Sequence, residues 1–151
     1  KIRENYILVI AGGKGWYYDE IFKLVEQRGL SNDIIFTGYL PGEDVAPIYS
    51  AASLFVFPSF YEGFGLPILE AMNCGVPVVT SDTSSLPEIG GKAVLYFNPN
   101  DKNEMMEKIK EVLSSDDLRK RMIRDGHIRA SLFSWDNAAK DVLKIINSIK
   151  C

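Results

Sequence analysis

Residues 54–75 read LFVFPSFYEGFGLPILEAMNCG and contain the clearest pattern of secondary structure in the sequence. Its first four residues are apolar, as expected of a short strand that is buried on both faces. Pro67 suits the first position of a helix, because the missing N–H of proline would have no helical partner there. Gly75 suits the residue just past the last helical turn. The sequence therefore predicts a strand over 54–57, a glycine-bearing loop and a helix over 67–74.

Two carboxylates flank the start of this predicted helix. Glu62 lies in the loop and Glu70 about one turn inside, so both face the positive end of the helix, which also favours phosphate. Carboxylates and a diphosphate repel one another at one spot, so we expect the N–H groups of Phe64, Gly65 and Leu66 to bind the phosphates. The carboxylates would then accept hydrogen bonds from sugar hydroxyls at Glu62 and from a ribose diol at Glu70. These features together describe a nucleotide sugar, although a surface loop with one solvated glutamate and one glutamate near the start of a helix accounts for the same residues.

The rest of the chain alternates short apolar strands with amphipathic helical segments. Five strands are predicted, at residues 6–11, 34–37, 54–57, 76–80 and 93–97. Between the strands, helical segments are predicted at 44–52, at 84–89, and before them in a segment with Tyr17 in its apolar stripe and Gly29 as its stop. After the strands, one helix begins with an Asp101–Glu104 capping box, one spans 116–132, and the last is capped by Ser134. This alternation predicts an α/β fold with a Rossmann-like parallel sheet and helices on both faces. In such sheets the ligand binds beyond the carboxyl ends of the strands.

Composition excludes several classes of function. The 151 residues, 46% hydrophobic and 25% charged, suit one globular domain, and we treat residues 1–151 as a single domain. A net charge of −3 argues against a nucleic-acid partner. The two cysteines show no metal-type spacing, and no apolar run is long enough to span a membrane. A cytoplasmic location, at most peripheral to the inner face of the membrane, is the expectation.

The glycine-rich loop after the first strand does not match two common phosphate-binding motifs. Residues 12–15, Gly-Gly-Lys-Gly, lack the Gly-Lys-Ser/Thr ending of a Walker loop. Tyr18 stands where the dinucleotide fingerprint needs its third glycine. An NAD-binding site is therefore not expected.

An ordered set of motifs resembles the group 1 family (family 4) of retaining glycosyltransferases with the GT-B fold. The central motif is the pair of glutamates, Glu62 and Glu70, separated by seven residues. Further matching motifs occur in the family's order: Ala11-Gly12-Gly13, Phe36-Thr37-Gly38, Ser59, Ala71 to Val79, Leu86-Pro87-Glu88 and Phe133-Ser134-Trp135. The similarity covers nearly the whole chain.

The resemblance implies transfer of a sugar from a nucleoside diphosphate sugar to an acceptor hydroxyl, with retention of configuration and without a metal or cofactor. It gives Glu62 the catalytic role of orienting the donor sugar and stabilising positive charge on its ring. Gly12 and Gly13 would line the donor pocket, although a tight strand-to-helix turn explains them equally well. Tyr39 and Leu40 would lie against the nucleobase, although a packed tyrosine would read the same. The base, sugar and acceptor remain open.

The chain also departs from the family pattern. The family's phosphate-binding arginine and lysine and its acceptor-binding domain are not in this sequence. The resemblance therefore implies the C-terminal, donor-binding half of a two-domain protein, whose partner is the missing N-terminal domain. The expectation is weak donor binding and little or no transfer by residues 1–151 alone. Any peripheral membrane association would come through the missing domain, and the apolar stripe of the last helix, exposed without it, would permit self-association.

Three other functions compete with a transferase. A non-catalytic nucleotide-sugar-binding module would share the fold, but both glutamates are intact. An epimerase of nucleotide sugars with the GT-B fold would share the donor site. A flavodoxin-like signalling domain needs clustered aspartates at the strand ends, and only Asp82 is so placed.

Overall fold

The computed structural model describes residues 5–13, 15 and 18–149. The chain divides into two compact units, residues 1–47 and 48–151. Tyr17, predicted to lie in the apolar stripe of the first helix, is outside the described residues, as is Lys14 of the glycine-rich loop. The prediction of one domain over 1–151 stays a prediction.

The first unit contains a two-stranded parallel sheet and a helix. Strand β1 (Leu8–Ala11) pairs in parallel with β2 (Ile34–Gly38), and helix α1 (Tyr18–Gln27) connects them. The ring of Phe22 on α1 stacks on that of Phe36 on β2, with centroids 4.3 Å apart. The unbroken apolar run at residues 6–11 predicts a strand covered on both faces, but the side chains of β1 are exposed in this structure. Two strands and one helix do not provide enough apolar surface to cover them.

The second unit contains a three-stranded parallel sheet in the order β3-β4-β5. Its strands are β3 (Phe55–Phe57), β4 (Val78–Ser81) and β5 (Leu95–Phe97). The helices around them are α2 (Gly42–Ala51), which begins in the first unit, α3 (Leu66–Asn73), α4 (Leu86–Gly90), α5 (Lys102–Leu113), α6 (Asp116–Ala130) and α7 (Trp135–Ser148). The described strands thus form two hydrogen-bonded sheets, where one continuous sheet was predicted.

Helices cover both faces of the β3-β4-β5 sheet. On β4, Val78 packs into a cluster with Ile68 of α3 and Leu86 of α4. The next residue, Val79, packs into a second cluster with Val112 of α5 and Met122 of α6. Because successive side chains of a strand point to opposite faces, these clusters lie on opposite sides of the sheet. The predicted α/β fold, with parallel sheets flanked by helices, is confirmed.

Helix α3 begins one residue earlier than predicted. Gly65 is its N-cap, Leu66 its first residue and Pro67 its second. The predicted stop is correct: Gly75 has a φ of 72°, the Gly75 N–H donates to the Met72 carbonyl, and the Val76 N–H donates to the Ala71 carbonyl. This pair of hydrogen bonds is the Schellman motif, which favours glycine at the left-handed position.

Two other predicted helix caps have different outcomes. Ser134 caps α7 by accepting a hydrogen bond from the Asn137 N–H, as predicted. Asp101 caps α5, but Glu104 does not complete the predicted capping box, because its carboxylate accepts from the Asn98 N–H instead. The predicted exposure of the apolar stripe of α7 is confirmed, with Ile145, Ile146 and Ile149 all more than half exposed.

Candidate functional site

The loop between β3 and α3 carries most of the predicted site residues. Gly65 adopts a φ of 110°, which a side chain disfavours, and a Cβ there would lie 2.9 Å from Cδ2 of the buried Leu86. A glycine at this position lets the chain turn sharply from the loop into α3. Among the described residues, none accepts a hydrogen bond from the N–H groups of Phe64, Gly65 or Leu66. Three backbone donors are thus left at the positive end of the helix.

Glu62 lies in this loop, three residues before Gly65, with its side chain half-buried. Its backbone is fixed on both sides of the Cα atom. The Glu62 N–H donates to Oγ of Ser84 at 2.9 Å, and its carbonyl accepts from Oγ of Ser85 at 3.0 Å. The carboxylate therefore projects from an anchored backbone.

Glu70 lies in the second turn of α3 and is exposed. Its neighbours Leu69 and Ala71 are buried in the core, which fixes the orientation of the helix. Its Oε2 atom accepts a hydrogen bond from the Tyr49 hydroxyl at 3.3 Å. Burial, and then the charge of Glu70, raise the pKa of Tyr49 above its usual range, so this phenol stays a donor.

Phe64, between the two glutamates, contacts the segment that follows α6. Its ring meets that of Phe133 edge-on, with centroids 6.0 Å apart. The Arg129 guanidinium lies 4.8 Å from the centroid of the Phe133 ring. Arg129 also donates to the carbonyls of Glu88 and Ile89 in α4. Phe64 is thus supported by Phe133 and Arg129, which join α4 to the end of α6.

The remaining predicted site residues belong to the first unit. Gly12 and Gly13 follow β1, where a Cβ on either would meet nothing within 4 Å. The Gly12 N–H donates to the Gly38 carbonyl at 3.0 Å, which joins the carboxyl ends of β1 and β2. Tyr39, exposed, and Leu40, half-buried, follow β2. Their predicted roles in donor binding stay predictions.

Sequence reasoning missed three contributors to the second unit's site: Tyr49, Ser84 and Ser85. The helical spacing of residues 44–52 places Tyr49 on the apolar side of α2, and its ring does pack edge-on against Phe55. The two serines follow β4, at the sheet edge where a site was expected. Nothing in the local pattern indicates which hydroxyl reaches which loop.

Two surface depressions lie away from these residues. One, of about 570 Å³, is lined by residues of α1 and β2 in the first unit. The other, of about 210 Å³, lies in the second unit between Lys92, Ala93 and the face of α6 that carries Asp125 and Ile128. Neither includes a predicted site residue.

The described residues contain no cluster of three or more His, Cys, Asp or Glu side chains that would suit a metal ion. The expectation of metal-free chemistry stays a prediction. No helix in the described part of the chain is both long and apolar enough to cross a membrane.

Comparison with known proteins places this geometry in context. Residues 1–129 match the family model described as "Glycosyl transferases group 1". The chain is 45% identical, over 141 residues, to the O-antigen chain mannosyltransferase B of Escherichia coli. That alignment covers 93% of this chain and 37% of the relative, so the chain spans little more than a third of the relative's length.

Solved structures give the same result. Sucrose-phosphate synthase from Thermosynechococcus elongatus superposes with a TM-score of 0.83 at 30% identity, covering 93% of this chain and 37% of that one. Anabaena HepE, solved with UDP and glucose, superposes with a TM-score of 0.85 at 22% identity, covering 95% of this chain and 41% of its own. At that identity the second likeness concerns the fold alone.

Proposed function

This chain belongs to the group 1 glycosyl transferases, as its motifs predicted, and we propose that it forms the donor-binding part of a retaining transferase that uses no metal. The donor is a nucleoside diphosphate sugar, and the acceptor is a hydroxyl group. The chain spans 37% of the length of the mannosyltransferase relative, and we assign acceptor binding to a further part of the enzyme.

One observation carries the proposal: between two carboxylates at the start of α3 lie three backbone N–H groups that no described residue accepts a hydrogen bond from. The N–H groups of Phe64, Gly65 and Leu66 can bind a diphosphate without a basic side chain. They are already oriented in the folded chain. Donors that are fixed in advance stabilise charge best, since nothing must reorganise during the reaction.

The two carboxylates receive different parts of the donor. Glu70, held by Tyr49 through one oxygen, accepts hydrogen bonds from the ribose diol. Glu62 orients the transferred sugar and stabilises the positive charge that develops on its ring. The proposal gives Glu62 no nucleophilic role, which would require a partner acid about 5 Å away.

Bond cleavage places negative charge on the departing diphosphate. The helix dipole and the three N–H groups lie where that charge develops, and a single lost donor of this kind costs an enzyme about a hundredfold or more in rate. Residues 1–151 alone are expected to bind the donor weakly without efficient transfer. The 45% identical relative is named for mannosyl transfer, which makes mannose the first sugar to test.

Nucleotide titration tests this proposal. We would titrate the chain with UDP, GDP, ADP and NAD at millimolar concentrations by ligand-observed NMR, and repeat each titration with Glu70→Ala. Binding of one nucleoside diphosphate, weakened about tenfold or more in Glu70→Ala, is the expected result. Glu107→Ala, which removes an exposed carboxylate from α5, is the control and should bind as the wild type does. Equal binding of NAD, or no effect of Glu70→Ala, would contradict the proposal.

Two other functions predict different outcomes for the full-length enzyme. A non-catalytic module would bind the nucleotide sugar without turnover. A nucleotide-sugar epimerase would return an isomer of the donor instead of a glycoside. Analysis of the products from a labelled donor separates these cases.

A further inference from the structure

Hydroxyl groups after β4 hold the loop that follows β3. The two strands are parallel neighbours, with Phe57 opposite Thr80, so their carboxyl ends lie side by side. Ser85 Oγ lies 3.0 Å from the Glu62 carbonyl oxygen and 2.8 Å from that of Phe64. Ser84 Oγ accepts from the Glu62 N–H at 2.9 Å. The loop is therefore fixed by side chains more than 20 residues away in the sequence.

Ser84 adopts a backbone conformation that serine disfavours. Its φ is 49°, and no other non-glycine residue in the described part of the chain has a positive φ. This left-handed conformation crowds the Cβ atom against the backbone. A strained residue persists when its surroundings hold it, and such residues cluster at functional sites. In this conformation, Ser84 Oγ accepts the hydrogen bond from the Glu62 N–H.

Peptide geometry converts these contacts into the direction of an N–H group. In a planar trans peptide, the carbonyl of one residue and the N–H of the next point in opposite directions. Because Ser85 binds the Phe64 carbonyl, the Gly65 N–H of the same peptide points away from Ser85. Gly65 N–H is one of the three donors assigned above to the diphosphate.

We propose that Ser84 and Ser85 are positioning residues for the loop that binds the diphosphate of the donor, with Ser85 directing the Gly65 N–H and Ser84 fixing the loop backbone at the Glu62 N–H. This inference rests on the proposed function, since it assigns the target of those N–H groups. Neither serine needs to touch the ligand. Their substitution should therefore weaken the contact to the diphosphate more than the contacts to base and ribose.

The first test removes the Ser85 hydroxyl. We would measure the Kd of the preferred nucleoside diphosphate and of its monophosphate for wild type, Ser85→Ala and Ser85→Thr. Ser85→Ala should raise the diphosphate Kd about fivefold to tenfold and the monophosphate Kd less than about twofold. Ser85→Thr keeps a hydroxyl and should restore most of the affinity. Ser131→Ala, which removes a serine hydroxyl bonded to the Ile128 carbonyl in α6, is the control.

The second test separates positioning from stability. Ser84→Gly relieves the left-handed strain but removes the acceptor of the Glu62 N–H. We expect its Tm to stay within about 3 °C of the wild type or to rise, while the diphosphate Kd increases. Hydrogen exchange of the Glu62 amide should become faster in the same variant. If Ser84 had only a structural role, the substitution would lower the Tm together with the affinity for the diphosphate.

The outcomes distinguish a failure of this inference from a failure of the proposed donor-binding function. A wild type that binds no nucleoside diphosphate, or binds one regardless of Glu70→Ala, would overturn the proposed function and the inference with it. Binding that depends on Glu70 but not on Ser85, or equal losses for diphosphate and monophosphate, would overturn the inference alone.

Discussion

The Tyr49 hydroxyl donates a hydrogen bond to Oε2 of Glu70, 3.3 Å away, and so joins α2 to the helix that follows the site loop. Phe55 supports the tyrosine ring edge-on at a centroid distance of 5.1 Å. Burial first, and the nearby Glu70 charge second, raise the pKa of Tyr49, which keeps the proton on the phenol at neutral and moderately alkaline pH. The carboxylate assigned to the ribose is therefore held by a partner that nothing in the local sequence indicates.

Tyr49→Phe should weaken nucleotide binding through Glu70. The loss of one hydrogen bond of about 1–1.5 kcal/mol corresponds to a roughly fivefold to twelvefold higher Kd for the nucleoside diphosphate. The ratio of ribose to 2′-deoxyribose affinity should also fall, because the carboxylate loses its fixed orientation. Isothermal titration with both nucleotides measures the two effects.

The control is the same substitution in a Glu70→Ala background. With the carboxylate gone, Tyr49→Phe should change the Kd by less than about twofold, since the two residues act as a unit. Additive losses in the double variant would mean that Tyr49 contributes through packing against Phe55 and not through Glu70.

Gly65→Ala should both destabilise the chain and weaken nucleotide binding. The new Cβ would lie 2.9 Å from Cδ2 of Leu86, at a backbone φ of 110°. Strain at such a position costs about 1–3 kcal/mol of the free energy of unfolding. Urea denaturation and a nucleotide titration measure the two effects.

Gly63→Ala is the matched control for that substitution. A Cβ at Gly63 would meet nothing within 4 Å, so its free energy of unfolding should stay within about 0.5 kcal/mol of the wild type. Equal stability of the two variants would show that Gly65 is not constrained by Leu86.

Local chemistry explains which parts of this fold and site were predictable. The apolar run of β3, the glycine before α3 and the Schellman stop at Gly75 each depend on residues within a few positions of one another. The same holds for the Ser134 cap. Family membership followed from the ordered motifs and is confirmed by the family match over residues 1–129.

Contacts that the pattern of a single helix or strand does not specify explain the rest. Glu104 was expected to bond within its own helix cap, but the N–H of Asn98, six residues earlier, takes its carboxylate. The Arg119 guanidinium donates to the Leu113 carbonyl and so caps α5, a contact that the basic run at residues 119–121 does not indicate. A long side chain can reach several partners, and the pattern of its own helix does not select among them. The serines after β4 were unpredictable because the loop that they contact lies more than 20 residues away in the sequence.

Arg129→Ala should destabilise the second unit by about 1.5–3 kcal/mol, because charged donors to carbonyls contribute more than neutral ones. The guanidinium bonds the carbonyls of Glu88 and Ile89 and contacts the ring of Phe133. Its removal leaves the last turn of α4 without these donors. Chemical denaturation measures the loss, and Arg124→Ala is the control.

Arg124 is mostly exposed and pairs with the adjacent Asp125. An exposed pair of this kind contributes little, so Arg124→Ala should change the free energy of unfolding by less than about 0.5 kcal/mol. If Arg129→Ala proved equally mild, the contacts between α6 and α4 would have no measurable role in stability.

Tyr96 should make the stability of the chain fall at high pH. Its hydroxyl donates to the Gly91 carbonyl at 2.9 Å, and burial raises the pKa of Tyr96 to about 12 from a usual 10.0, against a smaller lowering by Arg129. The folded chain therefore holds a proton that the unfolded chain releases near pH 10. This contribution is fully present below pH 10 and is lost as the pH rises toward 12.

Tyr96→Phe should reduce the slope of unfolding free energy against pH between 10 and 12, without abolishing it, because Tyr49 titrates in the same direction. Urea denaturation at intervals across that range measures the slope. An unchanged slope in Tyr96→Phe would mean that the phenol ionises as readily in the folded chain as in the unfolded one.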